Sequence, residues 1–407
     1  MSVRISLGDV LLGIETGKSF QTAEVQARPD ELGVLKVSAV SWSKFSPDEA
    51  KALKGDYVPA ESHRIKQNDL LISRANTREL VGAVVLVERD YPKRLLSDKT
   101  LRLVIDKAKA SKDFLLFALR APAAREHIEL FATGTSDSMR NISQEVIKSI
   151  PLALPAPPEQ RRIATRLKAQ LAEVETAWQA AQAQVRDAVL LRSRLLQQAF
   201  DALCDAPRKV LGEWAKTTSG STPPRGDRRY WSPVEIPWVK TGEVAFAPIT
   251  ATEEAISRQA LAECSLTLLP PQTVLIAMYG QGKTRGQSAI LEVEATTNQA
   301  CFAILPNDTW DTHFLHHWLM ASYEDLRNLS DGRGGNQANL NGALLNALAI
   351  PAPGIAEQHR IVARLKAQLA EADAIHQAAA AQLTEIERLP QRLLAQAFAP
   401  ATQGDVA

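Results

Sequence analysis

The sequence predicts an α/β protein (mixed α+β) made of two related halves, each a strand-rich segment followed by one long helix. Two observations carry this. First, residues 159–173, EQRRIATRLKAQLAE, recur as EQHRIVARLKAQLAE at 357–371, twelve of fifteen positions being identical at an offset of 198 residues. The repeat extends to RLLQQAF (194–200) and RLLAQAF (392–398) at the same offset. A period near 200 residues is a duplicated half-protein and not a solenoid. Second, the segments before each repeat, about 1–150 and 208–348, share a layout but little sequence.

Each segment opens with a Leu-Gly pair (Leu7-Gly8, Leu211-Gly212) and then a short strand, VLKVSAV at 34–40 and IPWVKTGEV at 236–244. An apolar strand runs into a polar loop, DLLISRANTRELVG (69–82) and TVLIAMYGQGKTRG (273–286). A further strand (KTLRLVI, ACFAIL) leads to one helix each, DFLLFALRAPAAREHI and HFLHHWLMASYEDL, and then to a polar loop, GTSDSMRNIS (134–143) and GRGGNQANLN (332–341). Proline-rich leads come next, and then the long helices. Residues 159–203 contain no glycine or proline and are rich in strong helix formers. Apolar residues recur in steps of three and four at Ile163, Leu167, Leu171, Val174, Trp178, Ala181 and Val185, and again at Ile361, Leu365, Leu369, Ala372, Ile375, Ala379, Leu383 and Ile386. A helix with one such stripe needs a partner, and its own duplicate, packed antiparallel about a pseudo-two-fold axis, is the obvious one. Pro390 predicts a kink or restart in the second helix.

Composition bounds the function. At 407 residues the chain needs more than one core. Three scattered cysteines (Cys204, Cys264, Cys301) suit a reducing cytoplasm and give no Cys-based metal site. The first residues lack a signal-peptide pattern, and no apolar run approaches the roughly 18 residues of a membrane span. A net charge of +1 means that any affinity for nucleic acid must come from local patches.

Together, the EQxRI helix start after a proline-rich lead, the RLLxQAF helix end, the LISR and LIAMYG strand–loops, the NQANLN loop and their duplication resemble the specificity subunit of type I restriction–modification enzymes. The match runs over nearly the whole chain. It implies target-recognition domains at 1–152 and 207–350, spacer helices at 153–206 and 351–400, and a frayed tail at 401–407. It implies two domains that each read one half of a split sequence on double-stranded DNA, held apart by the helices. It also implies docking of two methyltransferase subunits, joined by restriction/translocase subunits. S-adenosylmethionine, ATP and Mg²⁺ then belong to those partners, with no cofactor and no metal in this chain. Dissimilar loops imply an asymmetric target.

Candidate contact residues are chosen by side-chain chemistry. Arg and Lys pair with guanine O6/N7 or with phosphates, and Asn and Gln with adenine N6/N7. The first segment offers Ser73, Arg74, Asn76, Thr77, Arg78 and Arg140. The second offers Ser219, Thr222, Arg225, Arg228, Arg229, Tyr230 and Lys240, then Tyr279, Gln281, Lys283, Thr284, Arg285 and Gln287, then Arg333, Asn336 and Gln337. Any one of these can equally be a solvated loop tip, and Asn339 and its counterpart Asn141 suit structural caps.

Two other readings stand beside this one. AMYGQGKT (277–284) nearly matches a phosphate-binding loop, which would make the protein a P-loop nucleotide-binding regulator. Residues 285–305 read as strand, however, where such a loop needs a helix. A purely structural helical scaffold is the other. His313, His316 and His317 have helical metal-ligand spacing but suit a helix surface better. No catalytic set is recognisable, so the chain is expected to be inert alone.

Overall fold

The computed structural model describes residues 3–41, 44–55, 57–137, 139–280, 282–331 and 339–399. The chain divides into two compact units: Met1–Ala181 with Gln382–Ala407, and Gln182–Ala381. Each unit holds one strand-rich domain, the start of one long helix and the end of the other, and is described in turn.

In unit 1 a four-stranded antiparallel sheet runs in the order Leu11–Thr16, Thr100–Ile105, Leu70–Ser73, Val84–Leu86. Its buried strands read as continuous apolar runs because both faces are covered. One face meets the core of Leu70, Ile72, Leu101, Leu103 and Phe114; the other meets Leu71, Val85 and a five-stranded sheet. In that second sheet Gly33–Leu35 pairs in parallel with Tyr91–Leu95. Unit 2 repeats the plan. Thr217–Ser219, Cys301–Ile304, Val274–Ala277 and Ser288–Ile290 form the four-stranded sheet in the same order. Ile236–Val239 pairs in parallel with Thr296–Thr297.

The strands expected at 34–40 and 236–244 are shorter than that. Each stops after its apolar residues, and a single helical turn comes next, Val37–Ala39 and Thr241–Glu243, with Lys36 and Lys240 at the N-cap. The single helices expected after the sheets are pairs. Pro122, which lacks an N–H and so favours a first turn, starts a new helix at Pro122–Phe131 after Lys112–Ala118. In unit 2 Thr312–Ala321 is followed by Tyr323–Asp331.

The duplicated residues have duplicated jobs. Leu7 and Leu211 are fully buried, and their N–H groups donate to the Ile150 and Leu348 carbonyls, 2.8 and 2.9 Å away. The glutamine of each EQxRI block is fully buried at the start of its long helix. The Gln160 Oε1 accepts from the Ser111 N–H, and its Nε2 donates to Lys109 and Pro155 carbonyls. Gln358 does the same with the Asp311 N–H and the Thr309 and Pro353 carbonyls. A buried amide with all these bonds made locks the helix start to the domain; unmade, each bond would cost about 1–3 kcal/mol. The RLLxQAF blocks end on matching rings. Phe398 meets Phe114 in unit 1 at 5.6 Å between centroids, and Phe200 meets Phe314 in unit 2 at 5.4 Å.

The long helices span Pro157–Asp201 and Ile355–Ala397. They run antiparallel within each unit. In unit 1 Leu167 shares a core with Leu394, while further along the Trp178 indole lies 3.5 Å from Glu387. In unit 2 Arg192 bridges Asp373 at 2.5 Å, and Leu196 and Phe200 share a core with Leu365 and Ile361. Leu167, Ala181, Ile361, Leu365, Leu369, Ala372, Ala379 and Ile386 are buried, and Ile163, Leu171, Val174, Trp178, Val185 and Leu383 are half-buried, as the stripe requires. Two expectations fail. Ile375 is 46% exposed, because the step of four from Ala372 lands on His376 and not on Ile375. Pro390 does not interrupt the second helix, which continues through it to Ala397. A proline there removes one i→i−4 bond, and the flanking apolar residues Ile386 and Leu394 stay buried.

Candidate nucleic-acid interface

Unit 1 ties its candidate loop down with a small ribbon. Ala75–Asn76 pairs with Met139–Asn141, which pairs with Thr133–Ser136. The Ile142 N–H donates to the Arg74 carbonyl at 3.0 Å and the Arg78 N–H to the Asp137 carbonyl at 2.9 Å, so the backbones of Arg74, Arg78 and Arg140 lie near one another. Arg74 and Arg78 are exposed, and Arg140 is half-buried. Arg78 lies 3.8 Å from Glu129, and Arg140 lies 3.4 Å from Asp137. Ser73 and Asn76 are not presented. Both are buried, and the Asn76 Nδ2 donates to Ser73 Oγ and to the Val37 carbonyl at 3.3 Å while its Oδ1 accepts from the Thr77 N–H at 2.9 Å. They are the loop's internal fastening, because Ser73 still belongs to a central strand. Thr77 is half-buried beside them.

Beside this ribbon lies a cleft of about 340 Å³ whose lining includes Lys18, Phe20, Lys36, Lys51 and Lys99. It abuts the arginine loop, since the Arg74 N–H donates to the Lys99 carbonyl at 2.8 Å. These lysines are far apart in sequence and only the sheet assembles them. Lys36 alone had a signal: aligning the two short strands sets it against Lys240. Both lysines hold carboxylates, Lys36 to Glu49 at 2.9 Å and Lys240 to Glu253 and Glu254 at 2.5 and 3.2 Å. The Ser38 hydroxyl and then Lys36 hold the Glu49 carboxyl below the usual range. Arg225 and then Lys240 do so for Glu254.

In unit 2 the arginine-rich loop leaves its strand at Gly220, as the unit 1 loop leaves at Gly17. Both positions must be glycine: a Cβ would stand 1.8 Å from the Thr297 carbonyl oxygen at Gly220 and 2.1 Å from that of Leu96 at Gly17. Ser219 and Arg228 are exposed. Thr222 donates to Gln299, Arg229 pairs with Asp227 at 2.6 Å, and the Tyr230 hydroxyl donates to Glu263 at 3.0 Å. Arg225 pairs with Glu254 and faces Trp231.

AMYGQGKT closes a hairpin between the antiparallel strands Val274–Ala277 and Ser288–Ile290. Gly282, at φ +70°, takes a left-handed turn that suits glycine. Among the described residues no helix begins at this loop, which leads into the strand Ser288–Ile290, so nothing there supports the helix N-terminus that a nucleotide phosphate needs and the P-loop reading is set aside. Tyr279 is 39% exposed and Lys283 is exposed, with its carbonyl accepting from the Tyr323 hydroxyl at 2.6 Å. Thr284 and Gln287 are half-buried. Arg285 is not presented: it is buried, and its carbonyl accepts from Arg327 at 3.1 Å. Gln281, Arg333, Asn336 and Gln337 lie outside the described residues.

Two structural expectations also move. The helix caps are Ser143, accepting from the Val146 N–H, and Asn341, accepting from the Leu344 N–H, two residues beyond Asn141 and Asn339. His316 and His317 are buried in unit 2, not on a helix surface, because the sheet strand Ser288–Ile290 covers their helix. The His316 Nδ1 lies 3.1 Å from Ser288 Oγ. Burial pushes His316 down to about 3 and His317 to about 4. Among the described residues no group of three or more His, Cys, Asp and Glu is placed to hold a metal ion.

One frame is thus used twice, with different polar side chains on equivalent loops. Residues 208–385 match the type I restriction modification DNA specificity domain. The chain is 28% identical over 163 residues to the EcoEI specificity subunit of Escherichia coli, covering 40% of this chain and 27% of that one. It is 25% identical over 227 residues to the EcoR124I/EcoR124II specificity subunit of Escherichia coli, covering 54% and 55%. It thus spans about half or less of the length of these two relatives. Two solved folds cover all of this chain at 20% identity. One, at a TM-score of 0.73, is a chain from a study of assembly and conformational transition in the type I R-M system. The other, at 0.60, is the HsdS subunit from Thermoanaerobacter tengcongensis. In its second half by the domain match, and along its length by fold, the chain is similar to type I restriction–modification specificity subunits. Among the described residues no helix is long and apolar enough to cross a membrane.

Proposed function

We propose that this protein is the DNA sequence-recognition subunit of a type I restriction–modification complex. It binds a bipartite, asymmetric target on double-stranded DNA and positions two adenine-N6 methyltransferase subunits and the restriction/translocase subunits in the cytoplasm. The chain contributes no chemistry. Methyl donor, ATP and Mg²⁺ are carried by the partners, and the target adenine is flipped by the methyltransferase.

The observation that carries this reading is one frame bearing two different polar surfaces: lysines and arginines around Arg74 and Lys99 in unit 1, and Arg225, Arg228, Lys240 and Lys283 in unit 2. A shared frame with unlike loops suits two unlike half-sites. A second observation supports the partner count. Arg166, Lys168 and Glu173 are exposed, as are Arg364, Lys366 and Glu371, and the two sets are identical. Packing of a helix pair does not require matching exposed charges; two copies of one partner do.

The test is co-expression with the methyltransferase of the same system, followed by mapping N6-methyladenine across a genome. The expected result is one split motif with unlike halves. Methylation without a motif, as a mere scaffold would give, would contradict the proposal.

A further inference from the structure

Arg225 is held in a way no other exposed cation of unit 2 is held among the described residues. Its guanidinium carbon lies 4.0 Å from the Trp231 ring centroid and 5.0 Å from that of Trp238. The two indoles meet edge to face, 5.2 Å apart at 87°. Each indole N–H donates to the loop that carries Arg225, Trp231 to the Pro224 carbonyl and Trp238 to the Ser221 carbonyl, both at 3.1 Å. One guanidinium nitrogen, Nη1, is bonded to the Glu254 carboxylate, which Lys240 also holds at 3.2 Å. The side chain is nonetheless 53% exposed and opens onto a cleft of about 450 Å³ that Arg228, Glu253 and Glu254 also line.

An arginine on a polar surface ordinarily loses side-chain freedom when it binds. Here the aromatic faces and the carboxylate have fixed the fork beforehand, which lowers that cost. One nitrogen is engaged, so the remaining donors of the planar fork are free to meet two acceptors side by side. In the major groove only guanine presents two adjacent acceptors, O6 and N7; adenine puts an amino donor where the second acceptor would be. We infer that Arg225 reads a guanine in the half-site bound by unit 2, with Glu254 and the two tryptophans as positioning residues. This rests on the DNA-recognition function proposed for the chain and goes beyond it by naming a base.

At the equivalent place in its fold, just past Gly17, unit 1 has no arginine. Past Gly17 its loop carries Lys18 and Phe20; Phe20 meets Tyr57 at 5.2 Å, and the Lys18 ammonium lies 5.7 Å from the Tyr57 ring. A point charge on a flexible stem lacks the fork. The guanine contact therefore belongs to one half of the target.

The experiment maps N6-methyladenine for complexes carrying wild-type protein, Arg225→Lys and Arg225→Gln. The half read by unit 2 is assigned by exchanging residues 207–350. That half should contain a specified G·C pair. Both variants should lose preference at that pair by about ten-fold or more, with the other half unchanged. The unchanged half is the internal control for folding, and Arg225→Lys keeps the charge a phosphate contact would need. A unit 2 half-site with no specified G·C pair overturns the inference. So does an Arg225→Gln complex that methylates the same motif more weakly, or an Arg225→Lys complex with full preference. A wild-type complex with no motif sinks the underlying reading instead, before any variant is compared.

Discussion

Unit 1 leaves Gly17 with Lys18, Ser19 and Phe20, while unit 2 leaves Gly220 with Thr222, two prolines and Arg225. Both loops start from the same sheet edge, and the glycine is forced by a carbonyl in each. After the hairpin strand, unit 1 runs into a ribbon with arginines and unit 2 into a glycine-rich tip with Tyr279 and Lys283. The repeated features are those that fix the backbone: strand order, buried leucines, the glutamine at each helix start and the ring contact at each helix end. The differences lie where the backbone is already fixed and side chains are exposed. Such a division lets reading surfaces change without refolding the frame.

If the frame is truly shared, damage to it should be symmetric. Gln160→Leu and Gln358→Leu should each cost their own unit about 2–4 kcal/mol, since the bonds to three backbone groups are lost in both. Peptide-resolved hydrogen exchange should show lost protection in the matching unit and no change in the other. A cost confined to one glutamine would break the equivalence.

The buried histidines make the units unequal in acid. His316 and His317 have folded values far below the unfolded one, so they add stability that is full above about pH 6.5 and is lost as pH falls toward 3–4. Between pH 7.5 and 5.5 unit 2 should lose about 1–3 kcal/mol from this pair. Hydrogen exchange corrected for intrinsic rates should open unit 2 before unit 1 on acidification. Simultaneous opening would show that the pair does not control it.

The hairpin separates position from type. Arg285→Ala should lower the stability of unit 2 by about 1–3 kcal/mol, because the arginine is buried. Lys283→Ala should leave stability within about 0.5 kcal/mol. It should instead weaken DNA binding and flatten its salt dependence by about one unit of slope if Lys283 meets a phosphate. Thermal unfolding and binding titrations at several salt concentrations check both. Lys99→Ala should have the same modest effect on binding in unit 1. The smallest effect is expected at Ile375→Ser, within about 0.5 kcal/mol, because Ile375 faces outward. The same change at Leu369 would cost several times more.

The duplication, the long helices, their antiparallel pairing and the two related domains were all legible in the sequence, because repeats and apolar spacing carry over directly into packing. Exposure was not. Ser73, Asn76 and Arg285 have the chemistry of base-reading residues, yet hydrogen bonds to neighbours fix the first two inside the fold and burial hides the third. Ile375 fits an i, i+3 step, but the stripe took a step of four at that turn. The lysine cleft of unit 1 was invisible because strands and turns bring together residues as distant as Lys18 and Lys99. The glutamine of EQxRI was visible as a repeat, and only the structure explains why that position is an amide.

Independence of the two reading surfaces can be measured in one chimera. Residues 207–350 are replaced by the corresponding segment of a relative with a known target, and N6-methyladenine is mapped after co-expression with the methyltransferase. A motif in which one half changes to the donor's sequence and the other half stays as it was is the predicted result. A chimera that changes both halves, or neither, would contradict the division of labour between the units.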